Sequence, residues 1–231
     1  MKFSHILSAV ILSILSVSLF ARPVDEKDKR EYKVKDFHSI ELNGSYEVIL
    51  TQGEKSKVLI EASDKVHDAI EVKVKRGVLI FSMDTKNAIL KKTKIYISNP
   101  DFEAIHIRGA ANLWSTTGVK SKDLHILTSG AGEVDLDVNV GNLDAEIHGA
   151  GNIKLRGHAD SSYMNIDGAG GIKAFDLEVD ELDVELNGAG TAQVYAENDL
   201  DVEIRGIGKV TYEGDPKLHK NISGLGRLKR R

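Results

Sequence analysis

The side chains with the most scope for chemistry are carboxylates that recur in the second half of the chain. They lie five and three residues ahead of a repeated glycine signature. Grouped carboxylates can bind a divalent cation, accept hydrogen bonds from sugar hydroxyls, or act as an acid and base pair on a glycosidic bond. The candidate binding residues of this acidic ladder are Asp144, Glu146, Asp183, Glu185, Asp201 and Glu203.

The glycine signature that follows these carboxylates is Gly-x-Gly. It recurs every 18 to 21 residues between positions 109 and 231. A fixed period of this length marks a repeat protein. A degenerate copy, Gly109-Ala110-Ala111, precedes the regular ones. The structural glycines of the regular copies are Gly130 and Gly132, Gly149 and Gly151, Gly168 and Gly170, Gly188 and Gly190, Gly206 and Gly208, and Gly224 and Gly226.

Apolar and polar residues alternate on both sides of each signature, which predicts β-strands. Leu143, Ala145 and Ile147, for example, precede one copy at alternate positions. Two arrangements of the signature fit this pattern. Either the glycines face inward at a tight corner with no room for a Cβ, or the residue between them faces inward and the glycines supply a positive φ at a bend. The sequence leaves both open.

A unit of about 19 residues is too long for one strand and must fold back on itself. As one coil of a β-solenoid, it would stack on its neighbours in parallel, with equivalent residues about 4.8 Å apart. A propeller blade needs about 40 residues or more, roughly twice this period. A meander needs two-residue turns such as Asn-Gly between its strands, and only one copy of the signature begins in this way, at Asn187-Gly188. We therefore predict an all-β fold, a parallel right-handed β-helix with about 18–21 residues per coil.

The solenoid is predicted to occupy residues 32–231 as a single domain, with regular repeats over 109–231 and an irregular first half over 32–108. Gly44, with alternating apolar residues on both sides, is a diverged copy of the unit. The 65 residues between Gly44 and Gly109 leave room for about three coils. Within them we predict a capped helical turn at residues 63–70 and a hairpin around Arg76-Gly77.

The amino-terminal residues differ from the rest. Lys2 is the one fixed charge in the first 21, and an apolar run from Ile6 to Phe20 ends at Ala21. This predicts a secretory signal peptide over residues 1–21, since the run is short for an uncleaved membrane anchor. A charged linker follows over residues 22–31. We expect an exported protein in the periplasm, at the outer membrane or outside the cell, with no stable membrane insertion after cleavage.

Composition excludes several classes of function. Without Lys2 the chain has 30 basic and 35 acidic residues, a net charge that gives no attraction for nucleic acid. The absence of cysteine excludes disulfides, thiolate metal sites and a catalytic thiol. The position that would hold the aspartate of a calcium-binding β-roll is occupied by Val134, Ile153 and Ile172 in successive copies. We predict no cofactor.

Three histidines are candidate metal ligands by residue type. His106, His125 and His148 lie on outward positions of successive units but at different distances from their glycines. They would therefore stand in different columns, and we predict no preformed three-histidine metal site.

Whole blocks of sequence resemble a known family. The segments Ser-Gly-Ala-Gly-Glu-Val-Asp-Leu (129–136), His-Gly-Ala-Gly-Asn-Ile-Lys-Leu (148–155) and Asn-Gly-Ala-Gly-Thr-Ala-Gln-Val (187–194) are similar to repeats of the head GIN domain family. This is a DUF2807-type domain described as a "putative auto-transporter adhesin" head. Residues 37–44 and 98–105 resemble its opening and middle blocks. The resemblance spans residues 32–231 and implies an exported bacterial β-solenoid, with no catalytic residues to carry over.

Together these observations predict a non-enzymatic binding module for adhesion to a glycan or to a cell-envelope protein. In a solenoid, Asp183 and Asp201, and likewise Glu185 and Glu203, would lie about 5 Å apart and repel unless a cation bridges them. The alternatives are a β-helical polysaccharide lyase or hydrolase, and a structural spacer whose acids only solvate the surface. Because the turns are short, we predict no walled groove. The sequence does not indicate an oligomeric state.

Overall fold

Parallel strands stack coil upon coil in one hydrogen-bonded system. The structure is a computed structural model and describes residues 28–83 and 93–231. In chain order its elements are β1 Asp28–Tyr32, β2 Ser39–Gly44, β3 Glu47–Gln52, β4 Lys57–Ala62, α1 Asp64–Ala69, β5 Ile70–Lys75, β6 Val78–Met83, β7 Lys94–Asn99, β8 Ala104–Gly109, β9 Asn112–Ser115, β10 Val119–Gly130, β11 Glu133–Gly149, β12 Asn152–Gly168, β13 Gly171–Gly188, β14 Thr191–Tyr195, β15 Asp199–Gly206, β16 Lys209–Glu213, β17 Lys217–Gly224 and β18 Arg227–Arg230.

The strands form two columns, one before and one after the glycine signature. The first contains β8, β10, the second halves of β11, β12 and β13, and then β15 and β17; the second contains β9, the first halves of β11 to β13, and then β14, β16 and β18. Every pair within these columns is parallel. Val134 pairs with Ile153 and Ile153 with Ile172, and all three are buried, which confirms the predicted interior file and the β-solenoid.

The signature makes the corner between the columns, and its two glycines have different tasks. Gly188 has φ +128°, and an added Cβ would lie 2.4 Å from the carbonyl oxygen of Gly168 in the preceding coil. Gly190 faces the interior, where a Cβ would lie 2.6 Å from Cγ2 of Ile166. Ala189 between them is exposed. The arrangement in which the alanine faces inward is therefore wrong. The bend with positive φ is present at Gly188, and the lack of interior room for a Cβ is present at Gly190.

The first half departs from the prediction of three stacked coils between Gly44 and Gly109. These two glycines pair directly, so they belong to neighbouring rungs. Strand β2 lies between β8 and β6, and β3 lies between β9 and β7. Of the intervening chain, β6 and β7 stay in the stack as parallel neighbours of β2 and β3, whereas β4 and β5 run antiparallel, to β7 and β6 respectively. The chain between the two glycines therefore adds one parallel rung and antiparallel strands at one end of the solenoid, instead of three coils.

The smaller elements of this half follow the sequence more closely. Helix α1 confirms the predicted helical turn, although Ser63 at its start makes no side-chain capping hydrogen bond. The hairpin is also present, with Arg76 and Gly77 at positive φ between β5 and β6. Part of the predicted charged linker (22–31) is a strand instead, since Asp28–Tyr32 forms β1 against β4. The predicted signal peptide (1–21) and residues 22–27 lie outside the described residues.

The corner geometry predicts a large difference between two neighbouring substitutions. Gly188→Ala should lower the free energy of unfolding by about 2 kcal/mol or more, because the backbone conformation disfavours a side chain and the clashing atom is a backbone oxygen. Ala189→Ser, one residue away on the exposed side, should change it by less than about 0.5 kcal/mol. Urea denaturation measures both values, and equal effects would contradict the corner described here.

Candidate functional site

The predicted acids lie on the outward surface of the first strand column. Their sequence neighbours Leu182, Val184 and Leu186 are buried, so the alternation of the strand turns Asp183 and Glu185 toward solvent. We call this surface the acidic face. It is defined by the outward side chains of Asp144, Glu146, Tyr163, Asn165, Asp183, Glu185, Asp201 and Glu203.

The register brings four of the six predicted acids together. Asp183 stands directly beside Asp201, and Glu185 stands beside Glu203. A third acidic pair that sequence reasoning missed, Glu181 with Asp199, continues the same two coils. The sequence could have indicated this pair, because Glu181 and Asp199 lie two residues before Asp183 and Asp201 respectively.

Asp144 and Glu146 are separated from those pairs by one coil. Tyr163 follows Asp144 in its column and Asn165 follows Glu146, and these two residues then adjoin Asp183 and Glu185. The acidic ladder is therefore interrupted by an aromatic and an amide side chain. The concentrated negative charge lies on two coils, not four.

The acidic pairs differ in how their charge is compensated. Arg205 contacts Glu203 at 2.5 Å and Glu185 at 4.0 Å, so it partly neutralises that pair. Within residues 28–83 and 93–231, no lysine or arginine forms an ion pair with Asp183 or Asp201. Burial raises the pKa of Asp183, and the charges of Asp201 and Glu185 raise it further. The unbalanced negative charge thus lies at Asp183 and Asp201 rather than at Glu185 and Glu203.

An open groove of about 550 Å³ crosses these coils. A second depression of about 210 Å³ adjoins it, and Tyr163, Asp183 and Asp201 border both. The sequence predicted no groove walled by loops, and the relief here comes instead from the outward side chains of successive coils. The larger groove is lined by Asn142, Asp144, Ser161, Ser162, Tyr163, Glu181, Leu182, Asp183, Asp199, Leu200, Asp201 and His219.

Tyr163 is the aromatic side chain of this groove. Burial raises the pKa of its hydroxyl, and the charge of Glu185 together with a hydrogen bond to that carboxylate adds to the effect. The hydroxyl therefore stays protonated. No role was predicted for Tyr163 from the sequence, although it lies five residues before its signature glycine, as Asp144 and Asp183 do.

The three histidines form a connected network despite standing in different columns. His106 Nε2 lies 3.4 Å from His125 Nδ1, and His125 Nε2 lies 2.9 Å from Oε1 of Glu146. His148 Nε2 lies 3.3 Å from the other carboxylate oxygen, Oε2. Side chains offset by two residues on adjacent strands remain within reach of one another. Different columns therefore do not keep these histidines apart. Glu146 consequently belongs to this histidine network, apart from the acidic pairs.

The network shifts two pKa values. Burial lowers the pKa of His106, and the neighbouring His125 lowers it further. At Glu146, burial favours a higher pKa, but hydrogen bonds with His148 and His125 outweigh it and hold the pKa of this carboxyl below its ordinary value. Both shifts favour the less protonated form of the folded protein.

The charge repulsion at Asp183 can be measured as stability. Because its pKa is raised above 3.8, the folded protein holds more protons there than the unfolded chain as the pH rises past this value, and ionisation then lowers stability. Asp183→Asn should therefore raise the free energy of unfolding by about 0.5 kcal/mol at pH 7, with the gain shrinking as the pH falls toward 3.8. Urea denaturation at several pH values tests this.

The matched control is Glu133→Gln, an exposed acid whose neighbours in the adjacent coils are Asn112 and Asn152. No like charge is relieved there, so its stability should be unchanged. A loss of stability in Asp183→Asn at pH 7 would contradict the repulsion.

The histidine network gives a second, independent prediction. His106 should titrate below 6.5, and His125→Ala should move its pKa back toward 6.5 but not all the way, because burial remains. The folded protein binds fewer protons at His106 than the unfolded chain just below pH 6.5, so this group's contribution to stability falls on acidification. NMR titration of the ring protons measures the pKa. A value at or above 6.5 in the unsubstituted protein would refute the network.

Comparison with known proteins supports the fold and assigns the family. The structure superposes on the crystal structure of a "putative adhesin" from Bacteroides fragilis with a TM-score of 0.86 and 28% identity, covering 90% of this chain and 99% of that one. A "putative adhesin" from Parabacteroides merdae gives a TM-score of 0.71 at 20% identity, covering 89% and 96%. A "putative lipid binding protein" from Parabacteroides distasonis gives 0.74 at 22%, covering 89% and 97%. The last two likenesses concern the fold alone.

Two further comparisons bear on the chain. No curated protein matches its sequence. Over the described residues, none of the helical structure has the length and apolar character needed to cross a membrane. The sequence profile of the DUF2807 family, described as "Putative auto-transporter adhesin, head GIN domain", matches residues 36–216. This confirms the resemblance seen in the repeats, and the protein belongs to the DUF2807 family.

Proposed function

We propose that this protein is an exported binding module of the adhesin type whose acidic face binds a glycan. The observation that carries the proposal is the open groove across successive coils, lined by carboxylates, an amide, hydroxyls and one aromatic ring. Membership of a family described as an adhesin head agrees with a binding function. The sequence pattern of residues 1–21 supports export.

The lining suits a ligand rich in hydroxyl groups. Carboxylates such as Asp183 and Asp201 accept hydrogen bonds from sugar hydroxyls. The Ser161 hydroxyl, which donates to Oδ1 of Asn142, can accept them as well, and the amide of Asn142 can donate. The ring of Tyr163 offers an apolar surface on which the carbon-bound hydrogens of a sugar can pack. Because the groove is open along the coils, it favours an extended chain over a small molecule that needs an enclosed pocket.

The charge of the groove narrows the class of glycan. The pairs Glu181 with Asp199 and Asp183 with Asp201 would repel an anionic polysaccharide. A neutral glycan, or one with amino groups, meets no such barrier. The coils repeat about every 4.8 Å, so a polymer lying along the axis would contact several coils at once, and weak individual contacts would add up.

Glycoside hydrolysis is a second candidate function, favoured by one observation. Retaining glycosidases need two carboxyl groups about 5 Å apart, one protonated and one ionised. Asp183, with its raised pKa, directly neighbours Asp201 across adjacent coils. The groove, however, has no loop walls that could exclude water or distort a sugar ring, so the geometry supports binding better than catalysis.

A glycan array probed with the purified protein tests the proposal. We expect retention of neutral or amino-containing glycans and none of uronic-acid polymers. Tyr163→Ala and the double variant Asp183→Asn, Asp201→Asn should each weaken binding about tenfold or more, since both remove groups from the groove centre. Glu133→Gln, on the other strand column, should bind as the unsubstituted protein does.

Each other outcome has a definite meaning. Retention of no glycan would overturn the proposal in favour of a structural spacer, and capture of an envelope protein through the same residues would replace the glycan by a protein partner. New reducing ends in the incubated glycan, lost in Asp183→Asn, would establish the hydrolase.

A further inference from the structure

We propose that His158, Asp160 and Asp180 form a zinc site at the rim of the groove. One nitrogen of His158 and one oxygen from each aspartate lie within 4.8 Å of one another. His158 Nε2 is 3.2 Å from Oδ1 of Asp160. This proposal is independent of the glycan-binding function, because none of the three residues lines the groove.

The fold fixes the two aspartates side by side. Ala159 pairs with Val179 and Ser161 with Glu181, so the residues between them, Asp160 and Asp180, stand opposite each other on adjacent coils. Two carboxylates held in this way repel unless a cation bridges them. Within the described ranges, neither aspartate forms an ion pair with a lysine or arginine. The position therefore carries an uncompensated pair of charges.

His158 supplies the ligand that distinguishes this cluster from an ordinary acidic patch. It lies two residues before Asp160 on the same strand, and Glu178 of the next coil stands beside it. Gly157, immediately before it, has φ +109°, and an added Cβ would lie 2.0 Å from the carbonyl oxygen of Val138. The turn that presents the imidazole is thus fixed by backbone packing.

The donor set favours zinc over calcium or magnesium. Calcium and magnesium prefer oxygen ligands alone, whereas zinc takes imidazole nitrogen together with carboxylate oxygen. Ligands about 2.0–2.2 Å from a tetrahedral zinc ion lie about 3.3–3.6 Å apart. The separation of 3.2 Å between His158 and Asp160 is already close to this range, and a carboxylate oxygen of Asp180 lies within 4.8 Å of both ligand atoms.

The site would have one open coordination position. With three protein ligands, a zinc ion keeps its fourth position for water or for an external oxygen atom. Ser161 and Glu181, the residues that follow Asp160 and Asp180, line the groove. Bound zinc would also tie two adjacent coils together and remove the repulsion between the aspartates.

Isothermal titration of the untagged, metal-free protein with zinc chloride tests the site. We expect one zinc ion per chain, with the affinity lowered about tenfold or more in His158→Ala and in Asp180→Asn. The double variant Asp183→Asn, Asp201→Asn and the variant His125→Ala should retain the affinity, since they alter the acidic pairs and the histidine network instead. Zinc should also raise the Tm of the unsubstituted protein but not that of His158→Ala.

Three results would overturn the proposal. The first is the absence of stoichiometric zinc binding. The second is unchanged affinity in His158→Ala, including the case in which only His125→Ala loses zinc. The third is calcium binding as tight as that of zinc. The titration contains no glycan, so a failure of the proposed glycan binding would leave its outcome unaffected.

Discussion

The close approach of each signature glycine to the coil before it is the constraint on which the rest of the structure depends. The backbone N–H of Ala189 donates to the carbonyl oxygen of Gly168 at 2.9 Å, and that of Ala169 donates to Gly149 at the same distance. The glycine that precedes each donor has no space for a Cβ beside the same oxygen. Every coil must therefore turn at the same residue, and the strands on both sides of the corner are held in register.

Once the register is fixed, like positions line up on the inside and on the outside of the solenoid. Inside, this stacks apolar residues such as Val134, Ile153 and Ile172 into one file, which buries them efficiently. Outside, it places Asp183 beside Asp201, where their charges oppose folding. The buried apolar file offsets this loss of stability. It therefore holds the side chains of the acidic face in fixed positions on a rigid scaffold.

The sequence predicted what depends on the register alone and missed what depends on side-chain reach or strand direction. The spacing of the glycines was enough to place Asp183 beside Asp201. The diagonal contacts that join His106 and His125 to Glu146 could not be read from columns, because they depend on the length and orientation of side chains. Antiparallel strands have the same alternation as parallel ones, so the antiparallel course of β4 and β5 left no distinguishing mark in the sequence. The groove was missed because its walls are side chains, whereas the turn lengths describe only loops.

The most direct test of the account is cysteine cross-linking, since the chain contains no cysteine of its own. Neighbouring coils lie about 4.8 Å apart, within the span of a disulfide, whereas positions three coils apart in one column lie about 14 Å apart. A protein with cysteines in place of Asp183 and Asp201 should form an intramolecular disulfide under native oxidation. One with cysteines in place of Asp144 and Asp201, three coils apart in the same column, should not. Failure of the first pair to cross-link, or intramolecular cross-linking of the second, would contradict the in-register stacking from which the acidic face and its groove follow.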